Sequence, residues 1–216
     1  MKNLIFDSSS LITLSMNGLL DELERLKQKF KGKFLIPPSV EYESVKRPIK
    51  IKKYKLGALK IEDLIKRNVL EVYTDEKLKK ESDLTLKLAN HCFSARGKWL
   101  NIIQEGEASC LALSSLLKNC ILVVDERTTR LLGENPEKLR KILSGKLHTN
   151  VSLNKKNIDF FRDFKFIRSS ELVYVAYKKG LVDIKDGKEI LDALLYGVKF
   201  KGCSISSSEI KEIKRL

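Results

Sequence analysis

Histidine and cysteine are scarce in this chain. Its 216 residues include two histidines, His91 and His148, and four cysteines. No two cysteines form a C-x-x-C pair, and neither histidine has a second metal ligand at helical spacing. This scarcity argues against a zinc site, a thioredoxin-like motif and a catalytic triad that depends on histidine.

Long apolar runs are absent as well. No stretch approaches the ~18 consecutive apolar residues that a membrane-spanning helix needs, although hydrophobic residues make up 43% of the chain. The N-terminus enters an apolar strand directly, without the basic segment, apolar core and cleavage site of a signal peptide. We therefore expect a cytoplasmic protein with an ordinary packed core, no membrane contact and no disulfides.

Three common glycine-based motifs are also missing. The P-loop pattern G-x-x-x-x-G-K-[ST], the dinucleotide-binding pattern G-x-G-x-x-G and the serine-hydrolase pattern G-x-S-x-G do not occur. A haloacid-dehalogenase-like interpretation of the opening IFDSSS would need a second aspartate two residues after Asp7, where this chain has Ser9. The sequence therefore disfavours these enzyme classes.

Basic side chains are abundant. The chain has 42 Lys and Arg against 28 Asp and Glu, a formal net charge of +14, which favours a polyanionic partner such as nucleic acid. The densest basic run, KRPIKIKKYKLGALK at 46–60, contains no acidic residue. Its lysines either grip a phosphate backbone or form a solvated face. The candidate phosphate contacts are Lys50, Lys52, Lys53 and Lys55.

Short apolar strands alternate with amphipathic helices along the chain. The predicted strands are 4–6, 34–36, 69–73, 121–125 and 164–167. The predicted helices are 10–30, 40–43, 76–93, 107–117, 126–132, 136–143, 170–179, 186–197 and 206–215. Residues 144–157 are polar and turn-rich, which predicts a loop or insertion. This alternation predicts an α/β fold with a mainly parallel sheet.

Four acidic residues stand at or near the carboxyl ends of the predicted strands. Asp7 and Asp125 end strands, whereas Glu43 and Glu107 belong to helices that begin close to strand ends. In parallel sheets, ligands bind at that edge. Neighbouring carboxylates repel one another unless a cation compensates. An all-oxygen set suits Mg²⁺ or Mn²⁺ better than zinc.

Each acidic residue also has a purely structural interpretation. Asp7 and Asp125 could cap the helices that follow them, and Glu107 could stabilise its own helix through the helix dipole. Glu43 could be a surface residue, and Glu41 or Glu105 could be the functional acidic residue instead. Only the joint arrangement of the four acidic residues favours a metal site.

The order of these motifs resembles the PIN-domain nucleases. The matching stretches are LIFDSSSLITL, IPPSVEYE, GEASCLAL and LVVDERTTR, and IRSSELVYVAYKKGLVD is similar to the closing strand and helix of members with a helical C-terminal extension. The resemblance implies a three-layer α/β/α fold with a central, mainly parallel sheet and such an extension. We expect one domain over 1–216, with a lysine-rich middle segment at about 46–103 and C-terminal helices at about 170–216.

The same resemblance implies roles for individual residues. Asp7, Glu107 and Asp125 are expected to ligate Mg²⁺ or Mn²⁺, and Glu43 is expected to complete the catalytic set through water or a second ion. Ser9 would orient a ligand or water, and Arg127 or Arg130 would contact phosphate.

The function implied by the resemblance is hydrolysis of phosphodiester bonds in single-stranded or structured RNA by a metal-dependent ribonuclease. A toxin paired with an antitoxin is one biological setting for such an enzyme. An antitoxin protein and a second copy of the chain are therefore candidate partners besides RNA. The alternative is a non-catalytic RNA-binding or regulatory module that has the same fold and basic surface.

Overall fold

A five-stranded sheet forms the centre of the computed structural model, which describes residues 2–184 and 189–216. The strands in chain order are β1 (Asn3–Phe6), β2 (Phe34–Ile36), β3 (Glu71–Val72), β4 (Phe93–Ala95), β5 (Lys98–Trp99), β6 (Cys120–Val123), β7 (Val151–Leu153) and β8 (Phe166–Ile167). The central sheet has the order β3-β2-β1-β6-β8, and its pairings are parallel. Its parallel strands and flanking helices confirm the predicted PIN-like α/β/α fold.

The first strand lies in the middle of this sheet because its side chains are apolar on both faces. Leu4, Ile5 and Phe6 are all buried, as expected for a parallel strand covered by helices on both sides. Ile5 is in register with Leu35 of β2 and with Leu122 of β6. The residue that follows β1 therefore emerges at the centre of the sheet's carboxyl edge.

Helices account for most of the remaining chain. The described helices are α1 (Ser8–Met16), α2 (Leu20–Lys29), α3 (Pro38–Glu41), α4 (Lys55–Lys66), α5 (Glu76–Ala89), α6 (Glu105–Leu117), α7 (Arg127–Glu134), α8 (Pro136–Leu147), α9 (Lys155–Asp159), α10 (Ser169–Lys178), α11 (Ile190–Phe200) and α12 (Ser207–Ile213). A π-helical turn at 42–46 continues α3, and a 3₁₀ turn at 48–50 precedes α4. No described helix is both long and apolar enough to cross a bilayer.

The predicted helix at 10–30 is in fact two helices, α1 and α2. Gly18 adopts a left-handed conformation with φ of +71°, which ends α1 as glycine commonly does just beyond a helix. The chain resumes at Leu20, and α2 buries Leu20, Leu23 and Leu26. The helical spacing of apolar residues continues across the break, so the sequence pattern alone predicts a single helix.

The loop predicted at 144–157 as one of two interpretations is in fact mostly helix and strand. Helix α8 continues to Leu147, and β7 then pairs antiparallel with β4, which also pairs with β5 in a small three-stranded sheet. The predicted helix at 76–93 ends at Ala89, and Phe93 begins β4. These strands depend on pairing between distant segments, which local propensity does not reveal.

The C-terminal helices complete the core. A single hydrophobic cluster contains buried side chains from Leu4 to Ile213, and the four cysteines are buried and free. Helix α11 spans Ile190–Phe200, later than the predicted 186–197, and the predicted start at 186–188 lies outside the described residues.

One buried cation links the C-terminal helices. Arg168, 7% exposed, donates to Glu209 of α12 at 2.7 Å and to Glu171 of α10 at 3.0 Å. Although burial opposes it, hydrogen bonds from Ser206 and Arg168 lower the pKa of Glu209 to about 2. The ionised pair therefore attaches α12 to the start of α10.

Replacing this cation should destabilise the protein. We expect Arg168→Met to lower the free energy of unfolding by about 2–3 kcal/mol, because removing one partner of a largely buried pair leaves charge uncompensated. The control is Arg162→Met, whose pair with Asp159 is 64% exposed at both ends and should contribute less than ~1 kcal/mol. Urea denaturation measures both, and equal losses would contradict the anchoring role.

Candidate functional site

Asp7 occupies the centre of the sheet's carboxyl edge. It directly follows β1 and is 2% exposed. Its Oδ2 accepts hydrogen bonds from the Ser9 backbone N–H at 3.0 Å and the Ser9 hydroxyl at 2.5 Å, so the carboxylate caps α1. Its Oδ1 is buried and has no hydrogen-bond partner among the described residues. Asp7 therefore acts as a cap with one oxygen and leaves the other free for a ligand.

Glu43 approaches the same edge from the π-helical turn. The Ser8 hydroxyl donates to Glu43 Oε2 at 2.8 Å. Gly106 lies against this carboxylate so closely that a Cβ there would stand 2.6 Å from Oε2. A glycine at the start of α6 is thus what allows Glu43 to reach this position.

Glu107 enters the edge from the first turn of α6. Its Oε2 accepts from the Gln104 backbone N–H at 2.7 Å, and its Oε1 accepts from the Thr129 hydroxyl of α7 at 2.5 Å. The first bond closes a capping box, which confirms that Glu107 also serves its own helix. The second bond ties the carboxylate to the segment after β6.

The electrostatics of the three acidic residues are mutually unfavourable. Burial first, and then repulsion by Glu43, raise the pKa of Asp7 to about 6, against the lowering effect of Ser9. Burial, followed by Asp7 and Glu126, raises the pKa of Glu107 to about 7. None of the three acidic residues forms a salt bridge in the part of the chain that is described. Their like charges are therefore left uncompensated by the protein.

The buried residue Cys110 is affected by the charges of the same three carboxylates. This buried thiol donates to the Phe6 carbonyl at 3.6 Å. Burial is the main cause that raises its pKa, and the charges of Asp7, Glu43 and Glu107 add to it. Cys110 is therefore within the electrostatic range of all three carboxylates.

Asp125 lies at the same edge but has a different orientation. It is fully buried, and its Oδ1 and Oδ2 accept from the Ser169 backbone N–H at 2.8 Å and the Ser169 hydroxyl at 2.7 Å. Its own backbone N–H donates to the Ser9 hydroxyl at 3.2 Å. Both carboxylate oxygens are thus engaged with the start of α10, and metal ligation by Asp125 stays a prediction.

The two predicted arginines differ in their surroundings. Arg127 is exposed at the start of α7. Arg130 is 9% exposed, donates to the Ser204 carbonyl at 3.2 Å and faces Glu134 at 3.5 Å. Arg130 therefore joins α7 to the C-terminal segment, and contact of either arginine with phosphate stays a prediction.

The four candidate lysines are exposed around the 3₁₀ turn and the start of α4. Lys50 ends the turn and Lys55 begins α4, with Lys52 and Lys53 between them. Within the described ranges none of the four forms a salt bridge. The run is therefore a surface of uncompensated positive charge. This agrees with both interpretations of the sequence, contact with a phosphate backbone and a solvated lysine face.

Comparison with known proteins adds a family to this geometry. A family model described as PIN domain matches residues 3–138, more than half of the chain. The chain belongs to the PIN-domain family. PIN domains are generally nucleases and usually use divalent metal ions. Searches of curated proteins and of solved structures give no significant match.

Several residues of this PIN domain were not recognised as site residues in the sequence. Ser8 holds Glu43, Thr129 holds Glu107, and Ser169 holds Asp125. The charge of Glu126 raises the pKa of Glu107. Its position directly after Asp125 could have marked Glu126 as a site residue in the sequence. The hydroxyl residues had no such signal, because serine and threonine are common after strands for many reasons.

The carboxylates of the PIN-domain edge are oxygen donors of the kind that hard divalent cations prefer. Within 2–184 and 189–216 no three His, Cys, Asp or Glu side chains are grouped tightly enough to hold a metal ion by themselves. Mg²⁺ retains several waters and needs only one or two protein carboxylates. The unpartnered Asp7 Oδ1 and the uncompensated charge around it fit such an ion, and metal ligation by Asp7 stays a prediction.

The raised pKa values of the site predict a specific dependence of stability on pH. The metal-free native protein binds more protons at Asp7 than the unfolded chain between about pH 4 and 6, so its stability falls as pH rises through that window. Asp7→Asn removes this penalty. In a chelator we expect the variant to exceed wild type by about 2–3 kcal/mol near pH 8 and to show little gain near pH 4.

Urea denaturation at the two pH values measures this difference. The matched control is Asp75→Asn, which changes the exposed aspartate that caps α5 through the Lys77 N–H and should give no pH-dependent gain. A gain for Asp7→Asn that is the same at both pH values would show that the buried charge is not its cause.

Proposed function

We propose that this protein is a divalent-metal-dependent ribonuclease that hydrolyses phosphodiester bonds in single-stranded or structured RNA. The observation that carries the proposal is the buried, unpartnered Asp7 Oδ1 beside Glu43 and Glu107. Three uncompensated carboxylates are costly to maintain unless a cation offsets their charge. The net charge of +14 supports a polyanionic substrate.

Each side chain of the proposed site has a defined task. Asp7 would hold Mg²⁺ or Mn²⁺ through Oδ1, and Glu107, Glu43 and Asp125 would complete the set of carboxylates around it. Such an ion supplies Lewis-acid stabilisation of the phosphate and lowers the pKa of a bound water. The protein's own contribution is orientation, because Ser9 fixes Asp7, and Thr129 with the Gln104 N–H fixes Glu107.

A non-catalytic RNA-binding module is the second candidate. The observation that favours it is that both oxygens of Asp125 accept hydrogen bonds from Ser169. Fewer carboxylate oxygens are therefore free to bind a metal. The basic surface around Lys50–Lys55 would serve either function. Metal-dependent cleavage is therefore the property that separates them.

Removing the charge of Asp7 should abolish cleavage without abolishing binding. We expect wild type to cleave single-stranded RNA only with Mg²⁺ or Mn²⁺, and Asp7→Asn to be slower by about 100-fold or more. The metal contributes several kcal/mol to transition-state stabilisation, and ~1.4 kcal/mol is tenfold in rate. RNA affinity should persist or increase, since one negative charge is removed. Gel-based cleavage and fluorescence anisotropy measure the two properties.

The control for this experiment is Asp21→Asn, which removes a negative charge from exposed residue 21 in the first turn of α2 and should cleave like wild type. Binding by wild type and Asp7→Asn with cleavage by neither would favour the non-catalytic module. Equal cleavage by both would contradict the assignment of Asp7.

The basic run should contribute phosphate contacts. We expect the combined replacement of Lys50, Lys52, Lys53 and Lys55 with Ala to weaken RNA binding and to reduce the slope of log affinity against log salt. Each lost contact to a single strand should reduce the slope by about 0.7. Anisotropy titrations over a series of salt concentrations measure it.

A matched variant has the same change in net charge, because it replaces four other exposed lysines with Ala. These lysines lie on α8 and α9 and are Lys138, Lys141, Lys146 and Lys155. It should leave the slope nearly unchanged. If both quadruple variants reduce the slope equally, the basic run has no special role in binding.

A further inference from the structure

A groove opens beside the carboxylates, between α1, the turns at 42–50 and α4. It has a volume of about 650 Å³ and shares Glu43 with the candidate metal site. Volumes of ~300–1,000 Å³ are typical of sites that take small organic groups. An occupant of this groove would therefore lie directly next to the carboxylate edge.

The walls of the groove carry large apolar side chains that remain exposed. Met16 is 49% exposed, Ile51 42%, Tyr54 43% and Leu56 68%, and all four line the groove. A contiguous exposed apolar surface of this kind marks a binding site more often than a scattered apolar residue does. The groove is thus suited to a flat, largely apolar group.

The rim of the groove is positively charged. Arg47, Lys53 and Lys60 line it and are exposed, and none of them forms a salt bridge in the part of the chain that is described. Lys53 Nζ lies 5.3 Å from the centre of the Tyr54 ring. The site therefore combines an aromatic face with cations, which is the combination that binds bases and phosphates of single-stranded nucleic acids.

We propose that this groove binds an unstacked nucleobase of a single RNA strand next to the bond that is cleaved, with the base against Tyr54 and the neighbouring phosphates at Arg47, Lys53 and Lys60. The inference rests on the proposed nuclease function for the position of the cleaved bond. Charge complementarity and continuity with the carboxylates through Glu43 favour RNA over a protein segment. The substrate class is then single-stranded RNA rather than a continuous duplex.

The test separates base contacts from phosphate contacts in the presence of a chelator. The probes are a single-stranded oligoribonucleotide of about ten nucleotides and an oligomer of the same length that has the ribose-phosphate backbone without bases. We expect wild type to bind the first probe more tightly. Tyr54→Ala should weaken binding of that probe about tenfold or more and hardly affect the second, since base stacking contributes by this amount.

Two further variants make the result specific. Tyr54→Phe retains the ring and should bind like wild type, whereas Phe200→Ala removes an aromatic ring that is 75% exposed on α11 and should have no effect. Thermal unfolding checks that Tyr54→Ala folds. Equal affinity of wild type and Tyr54→Ala for the oligoribonucleotide would overturn the proposal. If Tyr54→Ala binds the oligoribonucleotide like wild type but loses a self-association that wild type shows in sedimentation, the groove is a protein-docking surface instead.

The outcomes for the groove and for the nuclease are distinguishable. Base-dependent binding that Tyr54→Ala removes, without metal-dependent cleavage by wild type, would support the groove and contradict the nuclease. Cleavage by wild type without base-dependent binding would contradict the groove alone.

Discussion

The burial of the Asp7 carboxylate at the end of the central strand is the constraint around which the functional edge is organised. A carboxylate in this position is unfavourable because it is removed from water and faces other acidic residues. The protein offsets part of this cost with Ser9, whose hydroxyl donates to Asp7 and accepts from the Asp125 N–H. One serine thus connects the ends of β1 and β6, while Asp7 Oδ1 stays free.

The C-terminal segment belongs to the same organisation, although the family match ends at residue 138. Ser169 at the start of α10 holds both oxygens of Asp125, and Arg168 beside it bonds to Glu209 of α12. Arg130 of α7 reaches the Ser204 carbonyl. The orientation of Asp125 therefore depends on residues well beyond the matched part, and the extension supports the edge as well as covering the sheet.

The sequence predicts those parts of the molecule that local patterns determine. The apolar run of β1 followed by Asp7 identifies a buried parallel strand and the acidic residue that ends it. The strand at 151–153 escapes prediction because its pairing with β4 joins segments more than fifty residues apart. Hydrogen-bond partners escape for the same reason, since nothing near Glu107 in the sequence indicates Thr129. The position of Arg130 escapes as well, because its contact with the Ser204 carbonyl joins segments that lie far apart in the sequence.

Glu43 connects the carboxylate edge with the basic surface, and its position depends on two local features. The π-helical turn at 42–46 interrupts regular helical geometry, as π-turns often do at functional sites. Gly106 leaves the space in which the Glu43 carboxylate lies. Because the same turn leads into the basic run, the acidic edge and the lysine surface are built by one continuous segment. In the proposed function, a strand of RNA bound by the lysines would therefore lie next to the segment that carries Glu43.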